Sequence, residues 1–178
     1  MTVLKLTLVW TLLAATHRAD ASAASCLHPN VSTSAWRTVH SPRLPTFSVR
    51  IPPDFARDAG EDSYPEPQSP GSRWADSAHA QLVVHLVQGG RRLLGSLPTA
   101  SGRPEYSRCV ERIGAATAVI VSYNRTDDVG HTAYVGPFQV HAQLHWPDGS
   151  EVNVYGMADT RRRFLELLAA VRTIRRAS

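Results

Sequence analysis

The chain has 178 residues, of which 43% are hydrophobic and 19% are charged, enough for one domain with a sizeable core. Its formal net charge of +4 is mild and comes without a dense basic stripe interleaved with aromatic side chains, which argues against nucleic-acid binding. No Walker loop, dinucleotide fingerprint or Gly-x-Ser-x-Gly elbow occurs, so the sequence carries no signature of these enzyme classes.

The N-terminus predicts an export signal. An apolar run from Leu6 to Ala15 is too short to span a bilayer, and small residues around Ala21 and Ala23 follow it. We therefore expect residues 1–23 to be a signal peptide cleaved after Ala21 or Ala23, with a buried N-terminal helix as the alternative. An arm over 24–35 and a single domain over 36–178 would remain outside the cytoplasm: in the periplasm, the cell envelope or the medium. Lys5 is the only lysine, an arginine bias that indicates a GC-rich bacterial genome.

Two cysteines, Cys26 and Cys109, remain in the expected mature chain. In an oxidising compartment they are expected to form a disulfide that ties the arm to the body. The alternative is lipid anchoring at Cys26, because Ala23-Ala24-Ser25-Cys26 loosely resembles a bacterial lipobox. A catalytic thiol would need an activating environment, and the sequence shows none.

Strands are predicted along most of the body. Trp36 to Val39 and Phe47 to Ile51 indicate two strands, the second ended by Pro52-Pro53. Residues 57–73 are rich in Pro, Ser, Gly and acids and predict a mobile surface loop. Apolar runs over 80–87 and 115–123 predict central strands, and residues 105–113, with Cys109, predict an edge strand or a helical turn.

The stretch from Val135 to Arg176 predicts a hairpin and a helix. Apolar and polar residues alternate from Phe138 to Trp146, and the Asp148-Gly149 pair is a strong hairpin signal before a second alternating strand. A helical stripe follows an N-cap at Asp159 or Thr160. Its members are Phe164, Leu167, Leu168, Val171 and Ile174. We expect this stripe to cover the apolar face of the hairpin.

Two further features concern the order of elements: Trp36 with Val39 and the run from Phe47 to Phe55, and later a strand, a long hairpin and a C-terminal helix. In both features the sequence resembles PsbP-like exported bacterial proteins, a group that includes LpqN-type lipoproteins. The resemblance implies an α+β fold, an antiparallel sheet with flanking helices in an α/β/α sandwich. It implies no catalytic residues.

The histidines of the hairpin do not predict a metal site. His141 and His145 are four residues apart, which on a strand of roughly 3.3 Å per residue separates them by about 13 Å. Zn–N bonds of about 2.0–2.1 Å cannot join both. We therefore predict no metal and no cofactor.

Three consecutive arginines begin the predicted helix, where cations oppose the helix dipole. Arg161, Arg162 and Arg163 are therefore a candidate anion-binding site, for a phosphate, a carboxylate or an acidic partner. The alternative is a solvated arginine face.

No catalytic constellation appears in the sequence, and with the resemblance this predicts a non-enzymatic binding or accessory protein of the cell envelope. Its partner is unassigned: a small ligand or an envelope protein, and not a nucleic acid. The alternative is a small secreted hydrolase whose Ser, His and Asp are brought together by loops.

Overall fold

The computed structural model describes residues 26–41, 44–57, 71–76, 80–86, 97–125 and 136–177. These ranges form ten strands and one helix. In chain order they are β1 (Arg37–Ser41), β2 (Leu44–Ile51), β3 (Ala56–Arg57), β4 (Gly71–Ala75), β5 (Ala80–Leu86), β6 (Ser107–Ile113), β7 (Ala116–Asn124), β8 (Phe138–His145), β9 (Glu151–Ala158), α1 (Arg161–Arg172) and β10 (Arg175–Arg176). The expected signal peptide over 1–23 lies outside the described residues.

A seven-stranded antiparallel sheet forms the larger layer, in the order β3-β4-β5-β9-β8-β7-β6. The predicted β8–β9 hairpin is confirmed, and it lies between the two predicted central strands, β5 and β7. Its turn is closed by Asp148, whose side chain accepts hydrogen bonds from the backbone N–H and the hydroxyl of Ser150. Gly149 supplies a φ of 84°, which favours glycine.

The helix α1 packs on one face of this sheet, mainly against β8 and β9. Thr160 is the N-cap, and its hydroxyl accepts a hydrogen bond from the backbone N–H of Arg163 at 3.3 Å. The predicted stripe is buried, with Phe164, Leu167, Leu168, Val171 and Ile174 all in the core. The prediction that the helix covers the hairpin is therefore confirmed.

A small sheet, β1-β2-β10, lies beside the helix and completes the second layer. Its strand β2 buries Phe47, Val49 and Ile51, and Phe47 contacts Trp146 edge-to-face at a centroid distance of 5.2 Å. Strand β10 pairs Arg175 with Ser48, which brings the C-terminal end of the chain onto β2.

The expected α+β fold, an α/β/α sandwich with flanking helices, is wrong. Strands dominate the described chain, which contains a single helix and two antiparallel sheets, so the protein is mainly β. Only one segment of the sequence has a helical stripe, and the other expected helices came from the resemblance alone. The small sheet shares the role of covering the large sheet with α1.

Two boundaries of the sequence prediction change. Arg57 lies in β3 and Gly71 to Arg73 lie in β4, so the predicted loop over 57–73 is too long at both ends; its residues 58–70 lie outside the described ranges. Of the two alternatives for residues 105–113, the edge strand is confirmed: residues 107–113 form β6, with Cys109 as its third residue.

Candidate functional site

Cys26 and Cys109 form a disulfide, with their Cα atoms 5.2 Å apart. This confirms the predicted bond between the arm and β6. The Cys26 sulfur is thereby occupied and does not carry the thioether that the alternative of a lipid anchor requires.

The rest of the arm has few attachments to the body. Nε2 of His28 lies 3.5 Å from Oε2 of Glu111. Glu111 follows Cys109 by two residues in β6, so both side chains lie on the same side of that strand. At the other end of the arm, Arg50 of β2 donates through Nη2 to the carbonyl oxygens of Ser34 and Trp36, at 3.2 and 3.3 Å. Between these two anchoring regions the arm spans open space.

That space is a cleft of about 450 Å³, which we call the arm cleft. Its walls come from the arm, from β1 and β2, and from the C-terminal end of α1 with β10. The lining residues are His28, Pro29, Val31, Thr33, Thr38, Ser48, Arg50, Ala169, Arg172, Thr173 and Arg175. This volume lies within the range of about 300–1,000 Å³ that is typical of small-molecule sites.

Three guanidinium groups from three elements meet at the arm cleft: Arg50 of β2, Arg172 at the end of α1, and Arg175 of β10. In each group, one nitrogen donates hydrogen bonds to backbone carbonyls and thereby fixes the orientation of the guanidinium plane. Nη2 of Arg50 holds the arm, Nη1 of Arg172 donates to the carbonyl of Leu168 at 2.9 Å, and Nη1 of Arg175 donates to two carbonyls at the helix end. The remaining nitrogens of Arg50 and Arg175, and Nη2 of Arg172, have no partner among the described residues.

Glu111 stands behind the cleft and links its walls. Oε1 of Glu111 lies 2.8 Å from Nε of Arg172, a close ion pair rather than a well-aligned hydrogen bond, and Oε2 faces His28. One carboxylate therefore offsets part of the charge of three arginines, and the site stays net positive. None of the described residues that line the cleft is acidic.

Hydroxyl groups complete the lining, from Thr33, Thr38, Ser48 and Thr173. The Thr173 hydroxyl accepts a hydrogen bond from the backbone N–H of Arg50 at 2.8 Å and donates to the carbonyl of Ala170 at 2.7 Å. It thus fixes the helix end against β2, which sets the distance between Arg50 and Arg172. Guanidinium and hydroxyl donors in this arrangement favour the binding of phosphate or carboxylate groups.

The sequence-predicted anion site lies elsewhere, at the start of α1. Arg161 pairs with Glu105 at 2.6 Å, Arg162 with Glu166, and Arg163 with Asp54, Asp76 and Glu166. A direct hydrogen bond from Arg163 lowers the pKa of Asp54. Carboxylates therefore compete with any added anion for all three arginines. The anion site at Arg161–Arg163 stays a prediction.

His141 and His145 both lie on β8, on the face of the sheet that points away from the helix. Nδ1 of His145 pairs with Glu151 at 3.0 Å. His141 contacts the Tyr123 hydroxyl through Nε2 at 3.1 Å and packs edge-to-face on Tyr155. Burial, reinforced by the positive charge of Arg103, lowers the pKa of His141 to about 4, so the ring is neutral at pH 7. No cluster of three or more metal-ligating side chains occurs in the described ranges.

This face also buries amide side chains. Gln139 is fully buried and satisfied, since its Oε1 accepts from the Tyr155 hydroxyl and its Nε2 donates to the carbonyl of Gly136. Asn153 is 2% exposed, and neither its amide oxygen nor its amide nitrogen has a hydrogen-bond partner. The amide atoms of Asn153 are also buried from solvent, so a ligand at the surface of this face does not reach them.

Sequence reasoning missed the arm cleft because its arginines are far apart along the chain. In the sequence Arg50 is a polar position in an alternating strand, and Arg172 and Arg175 lie at the end of the predicted helix, where cations favour the helix dipole. The one available signal was the predicted disulfide, because a bond from Cys26 to Cys109 requires the arm to lie across the body of the domain.

Comparison with known proteins assigns no family: no protein-family model matches the chain, and no curated protein matches it significantly. Among the described residues, no helix is both long enough and apolar enough to cross a membrane.

Proposed function

We propose that the protein is an extracytoplasmic binding protein that holds a small organic anion in the arm cleft. One observation carries this proposal: three guanidinium groups from separate elements converge on a cleft of about 450 Å³ and keep N–H donors without a protein partner in the described chain. Such preoriented cationic donors bind anions more strongly than neutral donors do.

The lining also restricts the kind of anion. Phosphate and carboxylate groups accept hydrogen bonds from both guanidinium and hydroxyl donors, and the cleft offers both. Its volume exceeds what a bare inorganic anion fills, and Pro29, Val31 and Ala169 supply apolar contacts for a carbon skeleton. The proposed ligand is therefore an organic phosphate or a multivalent carboxylate rather than a free ion.

Two observations support a location outside the cytoplasm. The Cys26–Cys109 disulfide suits an oxidising compartment. The apolar segment within residues 1–23 adds the sequence expectation of an export signal. No specific observation in the described chain favours the alternative of a secreted hydrolase.

The proposal is tested by calorimetric titration of the purified oxidised protein with glycerol 3-phosphate, succinate, inorganic phosphate and neutral glycerol. We expect the organic anions to bind and glycerol not to bind. Removing one charge-assisted hydrogen bond costs roughly 1.5–3 kcal/mol, so Arg175→Gln should weaken binding roughly 10- to 100-fold.

Arg108→Gln is the matched control, because Arg108 is an exposed arginine of β6 outside the cleft. It should leave the affinity unchanged. Equal weakening by Arg108→Gln and Arg175→Gln would show that the affinity depends on net charge and not on the cleft. If the wild-type protein binds none of these anions at millimolar concentration, the proposal is wrong.

A further inference from the structure

We infer that the Cys26–Cys109 disulfide is a redox clasp that builds the anion site, and that a dithiol reductant opens the arm cleft and releases the ligand. The inference rests on the proposed function, since it concerns the same cleft, and it adds how binding is controlled.

The disulfide is the main fastening of the start of the arm. Among the described residues, the one backbone hydrogen bond made between 26 and 32 is local, from Val31 N–H to the carbonyl of Pro29. The other polar side-chain contact of this segment with the described body is the ion pair of His28 with Glu111, and the His28 side chain is 70% exposed. An ion pair this exposed contributes little. Leu27 lies beside Phe138 and Phe164 but is itself 41% exposed. Without the disulfide, the arm before Thr33 has no strong hold on the body.

This weakly held segment forms a wall of the ligand site. His28, Pro29 and Val31 line the arm cleft opposite Arg172 and Arg175. The segment ends at Ser34, where Arg50 takes hold of the arm. Release of Cys26 therefore lets the arm residues that line the cleft detach from the body. The guanidinium groups of β2, α1 and β10 stay on the folded body. The expected result is a shallow basic surface in place of a cleft.

Cys109 and Glu111 lie two residues apart on one side of β6, and they receive Cys26 and His28 of the arm. Glu111 also holds Arg172 on the opposite wall. The disulfide therefore sets the position of His28 relative to Arg172 through a shared carboxylate. Opening the disulfide removes the arm from this arrangement and leaves the Glu111–Arg172 pair in place.

The chemistry is thiol–disulfide exchange with a dithiol reductant as the second reactant. Cys109 is 5% exposed, whereas Cys26 is partly exposed, so the reductant thiolate attacks Sγ of Cys26. The Cys26–Cys109 bond breaks, a mixed disulfide forms on Cys26, and Cys109 leaves as a thiolate that takes up a proton. The second thiolate of the reductant then attacks its own sulfur in the mixed disulfide. Cys26 leaves as a thiolate that is protonated in turn, and the reductant ends as a disulfide, having supplied two electrons.

The experiment compares anion binding by the full chain in its oxidised form, in dithiothreitol, and as the Cys26→Ser/Cys109→Ala double variant. The probe is the organic anion that the oxidised protein binds best among glycerol 3-phosphate and succinate. Hydrogen exchange of β8 and β9, followed by mass spectrometry, reports whether the body stays folded. We expect at least tenfold weaker binding without the disulfide, while β8 and β9 stay protected.

A second variant covers the case in which loss of the disulfide unfolds the body. Three glycines inserted between Val31 and Ser32 keep the disulfide but make the arm segment that lines the cleft more flexible. This insertion should also weaken binding at least tenfold. The matched control inserts three glycines after Ser101, in an exposed turn outside the cleft, and should bind normally.

The outcomes separate the two proposals. Equal affinity with and without the disulfide in a folded body, or normal binding by the Val31 insertion variant, overturns the clasp and leaves the anion site intact. An oxidised protein that binds neither probe overturns the proposed function and the clasp with it.

Discussion

Gly156 of β9 lies directly beneath Leu167 of α1, at a close approach of helix and sheet. A Cβ atom on Gly156 would lie 3.2 Å from Cδ1 of Leu167 and 2.7 Å from Cγ1 of Val140. Since both neighbours are fully buried, neither can move aside without disturbing the core. We expect Gly156→Ala to lower the free energy of unfolding by about 1–3 kcal/mol, measured by urea denaturation.

A double-mutant cycle identifies the cause of this loss. Val140→Ala removes the nearest methyl group, so in that background the Gly156→Ala change should cost clearly less than it does alone. If the two effects simply add, the overpacking explanation is wrong.

Arg163 connects α1 to the segments that flank β3 and β4 at one edge of the large sheet, and its loss should be costly. Its guanidinium pairs with Asp54, Glu166 and Asp76, and Asp76 is 5% exposed at the side chain. Arg163→Gln leaves the Asp76 carboxylate buried with less compensation, and we expect a loss of about 2–4 kcal/mol in the free energy of unfolding.

Its neighbour supplies the control. The Arg162 side chain is 87% exposed and has one i,i+4 partner, Glu166, so Arg162→Gln should change the same free energy by at most about 0.5 kcal/mol. Similar losses in both variants would show that the number of cations in the first turn matters, rather than the contacts of Arg163.

His141 should make stability depend on pH between 4 and 6.5. Burial lowers the pKa of His141 from 6.5 in the unfolded chain to about 4 in the folded protein. Between these two pH values the unfolded chain binds a proton at this residue and the folded protein does not. Its contribution is complete above pH 6.5 and is lost as the pH falls towards 4. Between pH 7.5 and 5 we expect a loss of about 2 kcal/mol from this residue.

The measurement is the free energy of unfolding from urea titrations at several pH values. His141→Gln should remove this part of the slope, whereas His40→Gln, at an exposed position of β1, should retain it. An unchanged slope in His141→Gln would assign the acid sensitivity to other groups.

The first turn of α1 has no acidic residue to balance its three arginines. Thr160→Ala removes the N-cap acceptor of the Arg163 N–H and should cost about 1 kcal/mol of stability. Thr160→Asp keeps an acceptor and adds a negative charge at the helix N-terminus, so it should raise the thermal midpoint above that of the wild type. A midpoint for Thr160→Asp at or below that of Thr160→Ala would contradict the dipole argument.

Much of the large sheet was predictable because the alternation of apolar and polar residues within a strand indicates which of its side chains are buried. The alternation from Phe138 to Trp146, the Asp148-Gly149 turn and the stripe from Phe164 to Ile174 are local patterns, and each forms the element that it predicts. The second layer was not predictable in this way. Strand β10 has two residues and forms because β2 is next to it, so no periodicity in its own sequence marks it.

The candidate site was even harder to predict from the sequence. Its cations come from β2, α1 and β10, which meet only through the tertiary fold. The adjacent Arg161–Arg163 run attracted the prediction because it is contiguous in sequence. In the fold, Asp54, Asp76 and Glu105 come from other segments to pair with that run, a distribution of charge that no local pattern reports.

The position of β9 has a consequence for how the protein folds. This strand joins β5 on one side to β8 on the other, and β10 closes the small sheet on β2, so residues 151–176 make the pairings that unite the two halves of the molecule. Without this segment β5 keeps only β4 as its partner, and β2 keeps only β1. The two halves therefore cannot assemble a common core one after the other, and we expect them to fold together in a single cooperative step.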